Sequence, residues 1–572
     1  MKEDGTPAIE SKTSPGMPLQ VICYERADDI GFGVSGVVTR ARGIRASFPH
    51  LNASEIPMAA PVSGEKLVYL LDPHGASRRP WIMRVADRLL RLFGSVIGLE
   101  HDAFEIPWVP GFLHKKDGFV FSIGQFNQWV GQQLMCSGTV QLWPGMPVAR
   151  PLIEENRVIG VRLLDQGVER DGSATASFLP GMDVHAALTV IGDGPVGAVG
   201  REIDERLGMP SGHEKHEWAV GAKMVLDLPT GVDLKPGTVI HTLGYPEPEI
   251  FGFFYVHPDR IASAGIFVPS WFENPVRTSY RYLQHFVLHP YLWRYLKGGR
   301  LRSWGAKSLL EAGRRGEPYL AGDGFARIGE GSGSTNVLTG SGVDEAWTTG
   351  IQLAEAVLEL LKEGKPFTRE NLEATYVRRR RASWVEREAR IAAKSRDGFH
   401  HGIVSGMAGM ALAGATRGLL SIPGKPHHTL TAEEFFARRV RKEDVETLRH
   451  DAARRGSTLH DALMQAAGWP AIPYDGQLLM THQDALLLGG KVQAPAGYAD
   501  HVVFLYPTLC EGCPSKICVE ICSGEAITAP KDSGVPGFDR EKCVFCGACL
   551  WSCEQENVDF RAGSGGLHSA EN

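Results

Sequence analysis

Apolar and polar positions along this chain fall into blocks with different periods. Residues 19–25 (LQVICYE) form an apolar run that predicts a buried strand ending on the acidic Glu25. Residues 71–100 look like an insertion holding one basic amphipathic helix. Within it Ile82, Val85, Leu89, Leu92, Phe93 and Val96 recur at helical spacing, and Arg84, Arg88 and Arg91 lie on or beside the other face. From 119 to 190 short strands alternate with a helix predicted at 124–137, as in an α/β domain. Residues 215–270 are rich in Val, Ile, Phe and Tyr at strand spacing, which suits an antiparallel substrate-side sheet. LAGDG at 320–324 reads as a strand running into a glycine turn, with a helix following at about 343–363. Residues 366–470 are mostly helical and rich in arginine; the run Arg378–Arg381 reads as a solvated face. A cysteine-rich tail begins near 501 and ends on a frayed GSGGLHSAEN.

Composition narrows the class. The 572 residues are 43% hydrophobic and 22% charged, enough for two to four domains with their own cores. A net charge of −6 gives no reason to expect a nucleic-acid partner. The polar Met1–Pro18 has neither an apolar core nor a cleavage site, so no secretory signal is expected. No run of about twenty apolar residues argues for a spanning helix. The segment 403–424 is apolar but glycine-rich and interrupted by Arg417, so it is expected to pack or dip into a membrane rather than cross it.

Of ten cysteines, eight lie in the tail. This is the wrong pattern for a disulfide scaffold and suits metal in a reducing compartment. The spacing is Cys510-x2-Cys513-x4-Cys518-x3-Cys522, then Cys543-x2-Cys546-x2-Cys549-x3-Cys553. A 4Fe-4S cubane needs four converging thiolates, and in two-cluster ferredoxins the fourth cysteine of each run serves the other cluster. Cys543, Cys546 and Cys549 would then share a cluster with Cys522, and Cys510, Cys513 and Cys518 a second with Cys553. The x4 gap in the first run leaves one cluster with spare cysteines open. Structural zinc is the other alternative, because C-x2-C pairs also build zinc ribbons.

Upstream, three segments fit a flavin, the first running from Glu25 through the glycine turn after it. Glu25 at a strand end can take the hydroxyls of an adenosine ribose. DDIGFGVSG, with Gly31, Ser35 and Gly36, gives a glycine turn able to approach a pyrophosphate. Gly322-Asp323-Gly324 offers a carboxylate for a ribityl hydroxyl. TGSGVDEAWTTG, with Gly340 and Gly342, opens a helix whose free N–H groups can face the flavin ring or a phosphate.

With these segments in this order, the chain resembles the electron-transfer-flavoprotein:ubiquinone oxidoreductases and their geranylgeranyl-reductase relatives, from about residue 19 to 560. VICYERADDIGFGVSG, LTVIGDGPVGAVGREI at 188–202, GGRLRSWGAKSLLEAG at 298–313, NVLTGSGVDEAWTTGIQLAE and YDGQLLMTHQDALLLGG carry the likeness. It implies a glutathione-reductase-type α/β FAD-binding domain with a quinone-side antiparallel sheet at 1–365. A helical, membrane-contacting segment and linker would follow at 366–500, and an α+β ferredoxin-like domain at 501–572. It implies FAD, iron–sulfur, an electron-transfer flavoprotein as donor and a quinone as acceptor, with cofactor chemistry and no catalytic side chain. It also implies a peripheral or monotopic place on the inner membrane, on its cytoplasmic or matrix face. Departures are Leu338 for a proline, Ser122 for an arginine and an insertion RIGEGSG at 327–333. The family's Gly-x-Gly-x-x-Gly loop on its first strand is missing, so the expected fold is incomplete at the N-terminus. Two other functions fit the same residues: a ferredoxin-linked reductase of prenyl or lipid alkenes, and a non-catalytic iron–sulfur subunit with impaired FAD binding.

Overall fold

The computed structural model describes residues 6–7, 9–11, 14–31, 36–270, 279–425, 430–455, 457–490, 495–530 and 534–565. Its centre is a seven-stranded sheet. In spatial order the strands are Arg300–Leu310, Trp218–Asp227, Ile261–Pro269, Phe251–Val256, Thr238–Leu243, Gly64–Leu70 and Ala103–Ile106. Neighbours are antiparallel except Thr238–Leu243 beside Gly64–Leu70. Strand alternation gives this sheet two buried faces. Ile240 and Phe254 on one face join a large core with helices Ser279–Leu288 and Pro290–Leu296, the segment from Ala432 to Leu486, and the cysteine-rich tail. Val239, Phe253 and Tyr255 on the other pack with Val38 and Val120 of the nucleotide-side layer.

That layer holds two parallel strand pairs. Val21–Tyr24 lies beside Val140–Trp143, and Thr189–Ile191 beside Phe325–Arg327. Helices Ile123–Cys136, Ala198–Leu207 and Val343–Lys362 accompany them. The strand expected to be buried at 19–25 is not: Val21 and Ile22 are exposed, because among the described residues the strand pairs along one edge only.

The arginine run also differs from expectation. Arg380 is buried and donates to the Ser332 hydroxyl, while Arg381 bridges Glu317 and Glu386. A planar guanidinium suits such paired burial, so the run fastens the helical segment to the flavin-side layer instead of facing water.

In the tail, strand pairs Val502–Phe504 with Val558–Phe560 and Ile527–Thr528 with Gly537–Phe538 accompany short helices Ile517–Glu520 and Ala548–Ser552. The tail docks on the sheet's edge strand: Ser308 N donates to Cys546 O at 2.9 Å, and Trp551 Nε1 to Ser308 Oγ at 2.8 Å. Trp551 also stacks on Trp218 with ring centroids 5.8 Å apart.

Candidate redox site

The eight tail cysteines are all free thiols and separate into two sets. Cys522, Cys543, Cys546 and Cys549 surround a small cavity whose wall includes Ala526 and Gly547. Burial pushes the Cys543 and Cys549 thiols well above their usual range, and mutual repulsion within this set adds to it. Cys510, Cys513, Cys518 and Cys553 form the other set. Cys518 is raised to about 12 by burial and then by the negative charge of the other three. Backbone N–H groups already point at sulfur: Ala526 N to Cys522 at 3.2 Å, Phe545 N to Cys543 at 3.2 Å, Asn557 N to Cys553 at 3.3 Å. Asn557 Nδ2 reaches Cys510 at 3.1 Å.

Among the described residues no three His, Cys, Asp or Glu side chains are gathered closely enough to hold a single metal ion. A cubane instead takes one thiolate at a corner of each iron, around a space. Thiolates that repel each other, with N–H donors on the sulfurs, fit such a cationic core.

The flavin-side residues lie at the ends of the parallel strands. Glu25 follows its strand, its amide on Trp143 O and its carboxylate accepting from Ala27 N at 3.0 Å. Gly31 has φ +98°, and a Cβ there would stand 2.5 Å from Gly124 O, so the turn packs against the start of Ile123–Cys136. Gly36 accepts Lys223 Nζ at 3.1 Å through its carbonyl; Ser35 lies outside the described residues. Gly340 and Gly342 lead into helix Val343–Lys362, with open space around a Cβ at Gly340.

The structure does not bring Gly322-Asp323-Gly324 to this group. These residues turn a hairpin between Ala321–Gly322 and Phe325–Arg327. Asp323 O accepts Val158 N and its carboxylate accepts Arg369 N, both at 2.9 Å. The turn precedes Phe325–Arg327, whereas ligands of open parallel sheets gather beyond the strands' carboxyl ends. At that end stands Glu330, inside the segment that reads as an insertion. Glu330 accepts Leu310 N at 3.1 Å. Burial pushes its carboxyl up, against the pull of that amide and of Lys307 and Lys223.

Lys223 and Lys307 are equally deep, and burial brings each down to about 8. Each of the three nevertheless keeps some accessible surface, and we read them as lining a cleft. Lys307 also feels Arg26 and Cys546, so this cleft abuts the first cysteine set. Arg26 itself lies 3.7 Å over the Phe545 ring. Sequence reasoning missed Glu330, Lys223 and Lys307 because single charged residues in apolar runs carry no motif.

A Gly192-x-Gly194-x-x-Gly197 turn does occur, between Thr189–Ile191 and Ala198–Leu207. Its helix end is occupied, since Asp193 accepts Gly200 N at 3.0 Å. Glu25, the cleft cations and the open glycine loop at Gly340–Gly342 thus fit a flavin nucleotide at its ribose, its charged middle and its ring.

Comparison with known proteins places names on this geometry. A family model described as "ETF-QO, ubiquinone-binding" matches residues 218–309, which cover five of the seven sheet strands. The electron transfer flavoprotein-ubiquinone oxidoreductase of Oryza sativa subsp. japonica is 28% identical, covering 96% of this chain and 86% of its own length. The Arabidopsis thaliana enzyme of the same name is 26% identical over 96% of this chain and 78% of its own length. Among solved structures, a geranylgeranyl bacteriochlorophyll reductase-like protein from Thermoplasma acidophilum superposes with a TM-score of 0.46 at 14% identity, over 76% of this chain and 92% of that one. The ubiquinone-binding match lies on the central sheet and the named relatives align along nearly the whole chain, so this protein is similar to the electron-transfer-flavoprotein:ubiquinone oxidoreductases over nearly its whole length.

Proposed function

We propose that the chain takes single electrons from an electron-transfer flavoprotein and passes them in pairs to a membrane quinone. The observation that carries this reading is the strand Arg300–Leu310. It ends the ubiquinone-binding match, holds the Cys546 carbonyl through Ser308, and projects Lys307 into the cleft beside Glu330. One strand therefore joins the cysteine set, the flavin-side cleft and the quinone-side sheet.

When bound, 4Fe-4S clusters supply one-electron relays and FAD a two-electron store. The protein's part is placement. Glu25 and Glu330 would hold the nucleotide's hydroxyls, and Lys223 and Lys307 would offset its negative charge. The two cysteine sets would each hold one cluster. The family's quinone has an apolar way in: Leu338, Phe251 and Phe399 pack with Met410, Met83 and Phe112, between the basic helix Trp81–Leu92 and the helix Ile403–Ala415.

The outer side of both helices carries the membrane reading. Leu92 is 73% and Val96 83% exposed, with Trp81, Leu89 and Phe93 exposed as well, and Leu419 and Leu420 are exposed after the second helix. Among the described residues no helix is long and apolar enough to cross a membrane. An apolar face rimmed by Arg84 and Arg88 would lie in the interface, on the cytoplasmic or matrix side of the membrane.

The test is to reduce the loaded protein with an electron-transfer flavoprotein and offer it ubiquinone or a prenyl alkene. Quinol formation supports the proposal; alkene reduction without quinol would replace it with the reductase reading.

A further inference from the structure

Sulfur ligands carry much of the charge of an iron–sulfur cluster, so an N–H group aimed at one of them favours the reduced, more negative form. Backbone amides can do this with almost any sequence. A side chain that does it is a choice of the sequence, and the inner cysteine set has one.

His501 stands just before the strand Val502–Phe504 and is buried. Its ring Nε2 lies 3.2 Å from Cys543 Sγ. Its backbone is held from the end of the neighbouring strand, where Arg561 N donates to His501 O at 2.7 Å. The chain then passes so close that a Cβ at Gly563 would stand 3.0 Å from His501 Cβ and 2.8 Å from the Phe545 ring. Three aromatic rings enclose the imidazole, with centroids at 4.6 Å for Phe545, 5.2 Å for Phe538 and 5.6 Å for Phe560. These walls are carbon, and a further phenylalanine would pack among them as well as an imidazole. What distinguishes the histidine is its nitrogen at sulfur. A thiolate can only accept, so Nε2 carries the hydrogen and donates it.

The contact lies where the inner set meets the flavin-side residues. Cys543 also accepts Phe545 N at 3.2 Å, and the Arg26 guanidinium lies 3.7 Å over the Phe545 ring. In so apolar a box a hydrogen bond is little screened, and its effect on charge at sulfur is correspondingly large.

We infer that His501 is a positioning residue for electron transfer: its Nε2–H raises the reduction potential of the cluster held by Cys522, Cys543, Cys546 and Cys549, and so favours inward passage of electrons. This rests on the reading above, in which the inner set holds a 4Fe-4S cluster fed by an electron-transfer flavoprotein. The step concerned moves one electron. The donor flavoprotein is oxidised by it and the inner set reduced, with no bond made or broken and no proton moved.

The test is a potentiometric titration of the full-length, iron-loaded protein followed by electron paramagnetic resonance. His501→Leu, which fills the box without a donor, should lower one cluster step and leave any second step in place. At a fixed potential the ratio of reduced to oxidised cluster should fall at least threefold; a tenfold fall would be a shift of about 59 mV for one electron. His501→Gln, whose side-chain amide restores an N–H donor, should keep the step within that threefold. A second measurement needs no variant. Wild-type protein labelled with nitrogen-15 in histidine alone should show, by pulsed electron paramagnetic resonance, a histidine nitrogen coupled to the spin of the reduced cluster. An unmoved step in His501→Leu, an equal shift in His501→Gln, equal shifts of two steps, or no histidine coupling would overturn the assignment. A wild-type protein that takes up no iron and sulfide, or that an electron-transfer flavoprotein never reduces, would overturn the functional reading beneath it.

Discussion

Asp323 and Glu330 lie seven positions apart and show how little a single acidic residue reveals without its strand. Gly-Asp-Gly has the composition of a nucleotide turn, whereas Gly-Glu-Gly reads as an insertion. Only the direction of Phe325–Arg327 decides which carboxyl reaches the cleft, and that direction follows from pairing with Thr189–Ile191, more than a hundred residues earlier. Glu330→Ala is therefore expected to weaken FAD binding about tenfold, which corresponds to about 1.4 kcal/mol, whereas Asp323→Ala should stay within twofold. Fluorescence titration of the apoprotein with FAD checks both; equal losses would return the role to Asp323. A second residue predicts a pH dependence. Glu247 is fully buried, accepts Ser77 Oγ at 3.1 Å, and leaves Oε1 with no hydrogen-bond partner among the described residues. Burial and then Glu249 push its carboxyl from 4.5 up to about 8. A raised acid stabilises the fold below its unfolded value and loses that contribution as pH rises through the folded one. Stability should thus fall between about pH 4.5 and 8, by up to about 1.4 kcal/mol per pH unit. Glu247→Gln should flatten that decline in urea midpoints measured at pH 5, 6.5 and 8. An unchanged slope would mean Glu247 titrates normally.

At the scale of elements, periodicity was legible wherever one face is covered. The helix expected at 124–137 is Ile123–Cys136, the one at 343–363 is Val343–Lys362, and the strands of 215–270 all join the central sheet. What periodicity missed was which partner covers an apolar face. Val21–Tyr24 reads as buried yet stands exposed, and Arg380 reads as solvated yet is buried, because neither outcome is set by the residues' own neighbours in sequence. The basic helix Trp81–Leu92 shows both sides of this. Its inner side is fixed by Asp87, which takes Arg79 Nη1 at 2.8 Å and the Tyr69 hydroxyl at 2.7 Å. Its outer side, with Leu89, Leu92 and Phe93, is half or more exposed. Replacing those three with serine should leave the fold intact, since the Asp87 anchor is untouched. It should still shift the protein from the membrane pellet to the soluble fraction, as apolar burial is worth about 25 cal/mol per Å². Flotation with anionic-lipid vesicles measures the shift. Continued flotation would move the contact to Leu419 and Leu420.

At the scale of the whole molecule, the tail's spacing predicted two cysteine sets, and the fold places them unequally. The set with Cys546 faces inward, its loop held by Ser308 and within the electrostatic reach of Lys307. The set with Cys510 lies farther out: Cys513 and Cys553 are only half buried, and Leu505, Tyr506 and Leu509 are exposed beside it. Electrons entering from a partner would meet the outer set first and the inner set next, then the cleft. If both sets hold a 4Fe-4S cluster, anaerobically purified protein should contain about eight iron and eight sulfide per chain. Cys553→Ser should then halve the iron, because its set is left with three thiolates while the inner four are unaltered. Cys549→Ser should cost more than half, since its side chain is buried at the junction that also docks Trp551 on Trp218. The two variants should also differ kinetically. Loss of the outer cluster should slow reduction by an electron-transfer flavoprotein yet leave oxidation of dithionite-reduced protein by quinone nearly unchanged. Loss of the inner cluster should slow reduction by the donor as well, because it interrupts the only described bridge from the outer set to the cleft. Four iron in the wild type, unaffected by Cys553→Ser, would show that the outer cysteines hold no cluster and that the donor reaches the inner set directly.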